Sequence, residues 1–190
     1  MSKVLITGTT RSGKSTLVKE IESLSLPNLV IIPELALNLL KANPSLEKDP
    51  NLQDILFAEQ LKREREAFES GAKFIICDRG IPDNIAHAKL FGQEIKPEWI
   101  DYSRTYNMVF LCNKDDVDFN LTNVQAAMEN RNWIKYREDQ DTQIKAALAL
   151  CGLPYILLEG TVTQRRELLE TALWPTRLGF EGNFTTRKEG

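Results

Sequence analysis

The sequence is poor in the residues that mark disulfide scaffolds and metal sites. It has three cysteines, at positions 77, 112 and 151, which lie in or beside apolar runs without metal-type spacing. We therefore predict that they are reduced, buried and structural. The single histidine, His87, lies in a predicted helix and has no sequence partner that suggests a catalytic pair. Packing or surface exposure is the favoured interpretation for this side chain.

A long apolar segment is also missing near the start of the chain. The first residues, 1–3, lead directly into the apolar run at 4–6, with no long apolar stretch behind a basic leader. We expect neither secretion nor membrane insertion, and therefore a cytoplasmic protein. The net charge is only −3, which argues against a protein built chiefly to hold nucleic acid. A small anionic ligand needs only local positive charge and remains compatible with this balance.

Apolar content supports one domain with a real core, since 42% of the 190 residues are hydrophobic. Five short runs have the length and continuous apolarity of strands that are buried on both faces. These runs are Val4–Thr7, Leu29–Pro33, Phe74–Cys77, Met108–Cys112 and Tyr155–Leu158. Helical patterns alternate with them, which predicts an α/β domain with a parallel sheet.

Two of these helices have clear end signals. Asp49 and Pro50 precede a helical run over 51–70, and Gly71 follows it, in the order expected for an N-cap, a first-turn proline and a C-terminal glycine. Thr161 and Gln164 have the spacing of a capping box, so the last helix is predicted to begin at Thr161. We expect one domain over 1–173, a polar loop or mobile lid around 113–140, and a C-terminal tail over 174–190.

The first strand is followed by a glycine-rich segment that ends in lysine and serine and opens a helix. This is the pattern and the context of a P-loop, in which backbone N–H groups and the helix N-terminus surround phosphates. Lys14 is expected to reach the β- and γ-phosphates, and Ser15 to bind Mg²⁺. The predicted nucleotide-binding residues are Gly8, Thr9, Arg11, Ser12, Gly13, Lys14, Ser15 and Thr16. The expected ligands are ATP and Mg²⁺.

Carboxylates are predicted at the ends of two strands, where ligands bind in open α/β sheets. Asp78 follows the third apolar run and is expected to hold Mg²⁺ or orient a nucleophile, although it could also cap the following turn. Its neighbour Arg79 would grip phosphate or carboxylate oxygens, or form a surface salt bridge. Glu34 follows the second run and could accept a proton from an acceptor hydroxyl. A favourable place in the first turn of a helix over 35–41 is the alternative for Glu34.

Positive side chains also cluster after the polar connection, at Arg131, Lys135 and Arg137. Such side chains could close over the phosphates and neutralise charge in the transition state. Arg131 and Lys135 share a helical face, whereas Arg131 and Arg137 do not. Either arginine, or both, is predicted to contact phosphate, and a solvated charged face is the alternative.

Together these residues resemble the small P-loop kinases, in particular the AAA-type ATPase/kinase family that includes the nicotinamide-riboside kinase domain of NadR-like proteins. The resemblance rests on the P-loop, on residues 34–36, 78–80 and 131–141, and on 152–155. It implies a three-layer α/β/α sandwich with a five-stranded parallel sheet of order 2-3-1-4-5. It also implies a lid arginine and transfer of phosphate to a small, nucleoside-like acceptor. Residues 129–132 depart from the expected Asp-Gly-x-Arg lid pattern.

Two other functions are compatible with the sequence. Asn113, Lys114 and Asp116 form an Asn-Lys-x-Asp pattern like the guanine-recognising motif of GTPases, but no Asp-x-x-Gly motif follows an earlier strand. Asn and Asp at these positions are also typical of a turn. The second alternative is an ATPase or a nucleotide sensor without transferase activity. A kinase would be stimulated by its acceptor, whereas a sensor would only bind the nucleotide. The sequence does not predict the oligomeric state.

Overall fold

Five parallel strands form the centre of the structure, a computed structural model in which residues 2–116 and 131–174 are described. The strands are β1 (Ser2–Thr7), β2 (Leu29–Ile32), β3 (Phe74–Asp78), β4 (Met108–Cys112) and β5 (Ile156–Leu158). Their order in the sheet is β2-β3-β1-β4-β5, and all four pairings are parallel. The predicted α/β class and the strand order 2-3-1-4-5 are confirmed.

Seven α-helices and one short 3-10 helix, Pro44–Lys48, connect or flank the strands in the described part of the chain. The α-helices are α1 (Lys14–Ser23), α2 (Leu35–Ala42), α3 (Leu52–Glu69), α4 (Ile81–Leu90), α5 (Pro97–Ser103), α6 (Arg131–Cys151) and α7 (Val162–Leu173). Helix α5 and the 3-10 helix were not predicted from the sequence, because both are short and lack a full amphipathic repeat.

The sheet is covered on both faces, as its continuous apolar strands predicted. Leu5 packs in a cluster with residues of α3, α4, α5 and α6, while its neighbours Val4 and Ile6 pack in a second cluster with α1 and α7. This alternation follows from the two-residue period of a strand. Burial of each large apolar side chain contributes roughly 1.5–3 kcal/mol, so the two clusters hold the helices against the sheet. Cys77, Cys112 and Cys151 are buried and free, as predicted.

The capping box at the start of α7 is confirmed. Thr161 Oγ1 accepts a hydrogen bond from Gln164 N, and Gln164 Oε1 accepts one from Thr161 N at 2.8 Å. The start of α3 differs from the prediction, because Pro50 precedes the helix instead of lying in its first turn. Asp49 Oδ1 accepts from the N–H of Asn51 at 2.8 Å, and this local turn delays the helix to residue 52.

The predicted lid is described only in part. Residues 131–140 of the loop or lid expected around 113–140 are helical, because α6 begins at Arg131. Residues 131–140 form the first half of this helix, whereas 117–130 lie outside the described residues, as do 175–190 of the predicted tail. None of the helices in residues 2–116 and 131–174 combines the length and the apolar character that crossing a bilayer requires.

Candidate active site

The P-loop turns sharply between β1 and α1. The backbone φ angle is positive at three positions of the loop, with 142° at Gly8, 60° at Arg11 and 86° at Gly13. Glycine adopts positive φ angles with less strain than other residues. A Cβ atom on Gly8 would lie 2.9 Å from the carbonyl oxygen of Cys112 on β4. Glycine is thus needed at position 8 both for the backbone conformation and for the close approach of the loop to the sheet.

Lys14 is buried, and its ammonium group folds back over the loop. Its Nζ donates to the carbonyl oxygen of Thr9 at 2.7 Å and lies 3.4 Å from Ser12 Oγ. Burial, followed by the charge of Arg79, lowers the pKa of Lys14 to about 8. A cation that burial destabilises in this way gains stability when an anion binds beside it. The loop therefore presents a positive group suited to phosphate.

Asp78, the last residue of β3, meets the first turn of α1. Its Oδ2 accepts a hydrogen bond from Ser15 Oγ at 2.9 Å, because β3 lies next to β1 in the sheet. Its Oδ1 is buried and has no hydrogen-bond partner among the described residues. Burial raises the pKa of Asp78, and the charge of Lys14 and the bond from Ser15 oppose that rise. A cation at this position would relieve the burial of the carboxylate.

The oxygen donors at this place fit Mg²⁺. A hydroxyl group and a carboxylate with one unpartnered oxygen are hard ligands, which Mg²⁺ prefers. Among the described residues, no group of three or more His, Cys, Asp or Glu side chains could hold a metal ion. A magnesium ion bound by Ser15 and Asp78 would thus complete its coordination with water and phosphate oxygens, as is usual for this ion.

Arg79 connects two acidic side chains beside the P-loop. Its Nε donates to Glu34 Oε1 at 3.0 Å, and its Nη1 donates to Asp83 Oδ1 at 2.8 Å. Asp83 also accepts from Thr7 Oγ1 at 2.8 Å and from the N–H of Gly80 at 3.1 Å. Burial lowers the pKa of Arg79, but Asp83 and Glu34 more than offset this, so the net direction is upward. Asp83 was not predicted as a site residue, although its place three residues after Gly80 is typical of a helix-capping carboxylate.

A cleft of about 210 Å³ opens next to Glu34 and Arg79. Its walls come from the P-loop and from α2, α3, α4 and α6, and they combine apolar and polar side chains. The lining residues include Thr10, Glu34, Leu40, Leu52, Gln53, Leu56, Arg79, Asp83, Asn84, His87, Tyr136, Gln140 and Ile144. Several polar groups that converge on a partly apolar cavity are typical of a site for a small molecule.

Gln53 and His87 form the polar part of one cleft wall. Gln53 Nε2 lies 3.0 Å from His87 Nδ1, and Gln53 Oε1 is buried without a hydrogen-bond partner among the described residues. Burial, followed by the charge of Arg79, lowers the pKa of His87, which favours the neutral ring. His87 also packs on Phe91, with ring centroids 4.5 Å apart. The sequence pattern favoured packing or surface exposure for His87, because no pattern indicated that helix α4 lines a cleft.

Arg165, on α7, holds the P-loop against two other loops. Its guanidinium group is buried and donates to the carbonyl oxygens of Ser12 at 2.6 Å, Gly160 at 3.1 Å and Asn113 at 3.2 Å. The sequence pattern predicted for Arg165 only a place within the last helix. A buried arginine cannot be distinguished from an exposed one by sequence position alone, since both occur on amphipathic helices.

The Asn-Lys-x-Asp segment forms a local turn. Asn113 Oδ1 accepts from the N–H of Asp115 at 3.1 Å, which is the hydrogen bond expected for such a turn. Asp116 Oδ2 accepts from the N–H of Gly160 at 2.7 Å and lies 3.5 Å from Arg165 Nη2. The carboxylate that would recognise guanine is therefore bound within the protein, which favours the turn interpretation.

The predicted lid arginines lie at the start of α6. The side chain of Arg131 lies outside the described residues, and Lys135 is exposed. Arg137 is buried, and its Nη2 donates to the carbonyl oxygen of Lys114 at 2.7 Å. Burial lowers the pKa of Arg137. The structure thus brings Lys14, Ser15, Asp78, Arg79 and Glu34 together, whereas a contact of the lid arginines with phosphate stays a prediction.

Comparison with known proteins agrees with this fold. The family model described as an AAA domain matches residues 3–165. A comparison with curated proteins gave no significant match. Among solved structures, deoxyadenosine kinase from M. mycoides, with dCMP and dCDP bound, superposes with a TM-score of 0.58 at 18% identity, covering 90% of this chain and 98% of that chain.

Two further solved structures have the same fold. Thymidylate kinase from Ehrlichia chaffeensis has a TM-score of 0.55 at 15% identity and covers 90% of this chain and 98% of its own. The NadR protein in complex with NR has a TM-score of 0.65 at 15% identity. That match covers 100% of this chain but 52% of the NadR chain, so this protein spans about half of NadR. The family match and these folds show that the chain belongs to the AAA domain family and has a P-loop kinase-like fold.

Proposed function

We propose that this protein is an ATP- and Mg²⁺-dependent kinase that phosphorylates a small nucleoside-like or nucleotide-like metabolite. The observation that carries the proposal is the position of the cleft, which contains Glu34 and Arg79 and also includes Thr10 of the P-loop in its wall. A molecule in this cleft would lie directly beside a nucleotide held by Lys14. The P-loop would therefore border both the site of the phosphate donor and the site of the acceptor.

The residues divide into a donor group and an acceptor group. Lys14 and the P-loop amides would hold the phosphates of ATP. Mg²⁺, held by Ser15 and Asp78, would neutralise charge on those phosphates. Arg79 would stabilise the transferred phosphoryl group, and Arg131 or Arg137 would add positive charge from the lid. These assignments follow from the contacts of Lys14, Asp78 and Arg79 and from the charge that phosphoryl transfer requires.

Glu34 is the proposed proton acceptor. As the acceptor hydroxyl attacks, a new O–P bond forms and the bond from the γ-phosphorus to the bridging oxygen breaks. The hydroxyl proton passes to the carboxylate of Glu34, and ADP leaves with the bonding electron pair. Glu34 lies at the cleft and is held by Arg79, which fixes its position for this step.

The nature of the cleft supports a nucleoside-like acceptor. Leu40, Leu52 and Leu56 provide apolar surface for a flat ring, and Gln53 Oε1 would accept a hydrogen bond from an N–H group of the ligand. Two of the solved structures with this fold are kinases named for a deoxynucleoside and a nucleotide, and the third binds NR. Nucleosides, their monophosphates and nicotinamide riboside are therefore the compounds to test.

The test measures ADP formation from MgATP across that panel, with GTP as the alternative donor. We expect ADP to form much faster with the correct acceptor, and Lys14→Ala to abolish the reaction. Glu34→Gln should reduce transfer by about 100-fold or more while ATP affinity stays nearly unchanged. The matched control is Glu47→Gln, an exposed carboxylate outside the cleft, which should retain full activity. Tight ATP binding that no compound stimulates would reject the kinase and favour a nucleotide sensor or an ATPase.

A further inference from the structure

Gln140, on α6, links the P-loop to the cleft. Its Oε1 accepts a hydrogen bond from the backbone N–H of Thr10 at 2.7 Å, and both residues line the cleft. One residue further along the loop, the guanidinium group of Arg11 lies 5.4 Å from the ring centroid of Trp133, also on α6. The helix thus contacts two consecutive residues at the tip of the P-loop.

The same face of α6 also meets any molecule in the cleft. Tyr136, Gln140 and Ile144 line it at four-residue spacing, which places them along one side of the helix. A carboxamide whose oxygen is already bonded retains two N–H donors. Gln140 can therefore hold Thr10 through its oxygen and offer donors to an oxygen-bearing ligand in the cleft.

We propose that Gln140 is a positioning residue through which occupancy of the cleft strengthens nucleotide binding at the P-loop. The proposal rests on the proposed function, because it takes the cleft as the acceptor site. A bound acceptor fixes the side chain of Gln140, and this in turn fixes the backbone of Thr10. A nucleotide that then binds has less of the loop to order, which is a source of positive cooperativity.

The expected strength of the coupling follows from the single hydrogen bond between Gln140 and Thr10. The net contribution of a neutral hydrogen bond corresponds to about a 3- to 10-fold change in an equilibrium constant. We therefore expect the acceptor to raise nucleotide affinity by about this factor. Because such coupling is reciprocal, the nucleotide should raise acceptor affinity by the same factor.

The experiment titrates a non-hydrolysable ATP analogue with Mg²⁺ into the full-length protein by calorimetry. Each titration is done alone and with saturating deoxyadenosine, thymidine monophosphate or nicotinamide riboside. The test variant is Gln140→Met, which has similar length but no hydrogen-bonding oxygen. The matched control is Gln143→Met, the same change on the same helix at a residue that does not line the cleft. Thermal unfolding of both variants establishes that they are folded.

In the wild-type protein and in Gln143→Met, we expect the acceptor to tighten nucleotide binding by about 3- to 10-fold. In Gln140→Met this factor should fall to about one, and nucleotide affinity without acceptor should also fall by about 3- to 10-fold. If Gln140→Met weakens nucleotide binding by the same factor with and without acceptor, Gln140 has only a structural role and the proposal is overturned. The proposal is also overturned if the acceptor still tightens nucleotide binding to Gln140→Met as much as it does to the wild-type protein.

Failure of the proposed function has a different signature. If none of the three compounds binds, the acceptor assignment and the coupling are both rejected. The titration without acceptor still shows in that case whether Gln140 positions the P-loop, since only Gln140→Met should lose affinity. If a compound binds and is phosphorylated but leaves nucleotide affinity unchanged, the proposed function stands and the coupling is rejected.

Discussion

Raising the pH from 7 to 9 should weaken nucleotide binding by about ten-fold, because Lys14 loses its proton in this range. Burial, followed by the charge of Arg79, lowers the pKa of this lysine to about 8 in the free protein. The protonated fraction is then about 0.9 at pH 7 and about 0.1 at pH 9. A lysine with the ordinary pKa of about 10.4 would still be almost fully protonated at pH 9.

The direction of the pH dependence follows from which protonation state of Lys14 binds phosphate. Phosphate favours the charged ammonium group and raises its pKa in the complex. Full affinity is therefore present below pH 8 and is lost as the pH rises through that value. The phosphate groups do not contribute to the change, because their last proton dissociates near pH 6. The expected slope approaches ten-fold per pH unit above pH 8.

The assay is calorimetric titration of the Mg²⁺ complex of a non-hydrolysable ATP analogue at pH values from 7 to 9. Lys14→Arg is the control, since a guanidinium group stays protonated throughout this range. Its affinity should be lower at pH 7 but nearly constant with pH. A flat profile for the wild-type protein, or an equally steep one for Lys14→Arg, would refute the assignment of the pH dependence to Lys14.

Three predictions concern stability and are measured by urea unfolding. Gly80→Ala should destabilise the fold by about 1–3 kcal/mol, because the new Cβ would clash with the hydroxyl oxygen of Tyr106. Glu64→Gln should cost about 3–5 kcal/mol, since it leaves the buried ammonium group of Lys3 without its ion-pair partner. Thr161→Ala should cost about 1 kcal/mol through loss of the N-cap of α7.

The control for Glu64→Gln is the same change at an exposed glutamate. Glu66→Gln changes an exposed carboxylate that pairs with the exposed Lys62 and Arg63 in the same helix as Glu64, so the free energy of unfolding should change by less than about 0.5 kcal/mol. If Glu64→Gln and Glu66→Gln changed the free energy of unfolding equally, the buried ion pair of Lys3 and Glu64 would not contribute the stability proposed for it. A Gly80→Ala protein as stable as the wild type would mean that the side chain of Tyr106 moves freely.

Local sequence patterns predicted much of the fold. The P-loop could be recognised because its glycines and its lysine and serine act within eight consecutive residues, 8–15. The strand at 74–77 was recognisable from apolar continuity, and the structure extends it to Asp78. Thr161 and Gln164 predicted a helix start because both partners of a capping box lie three residues apart. The strand order came from family resemblance, since short-range patterns contain no information on sheet neighbours.

Local sequence patterns were sufficient to predict the phosphate loop, the alternation of strands and helices, and carboxylates near strand ends. Which side chains meet at those strand ends became known from the packing of the helices on the sheet. The contact of Arg79 with Glu34 joins residues 45 positions apart, that of Thr10 with Gln140 spans 130, and that of Arg165 with Ser12 spans 153. Such contacts depend on how the helices pack on the twisted sheet, and packing is set by the whole core instead of by any local pattern.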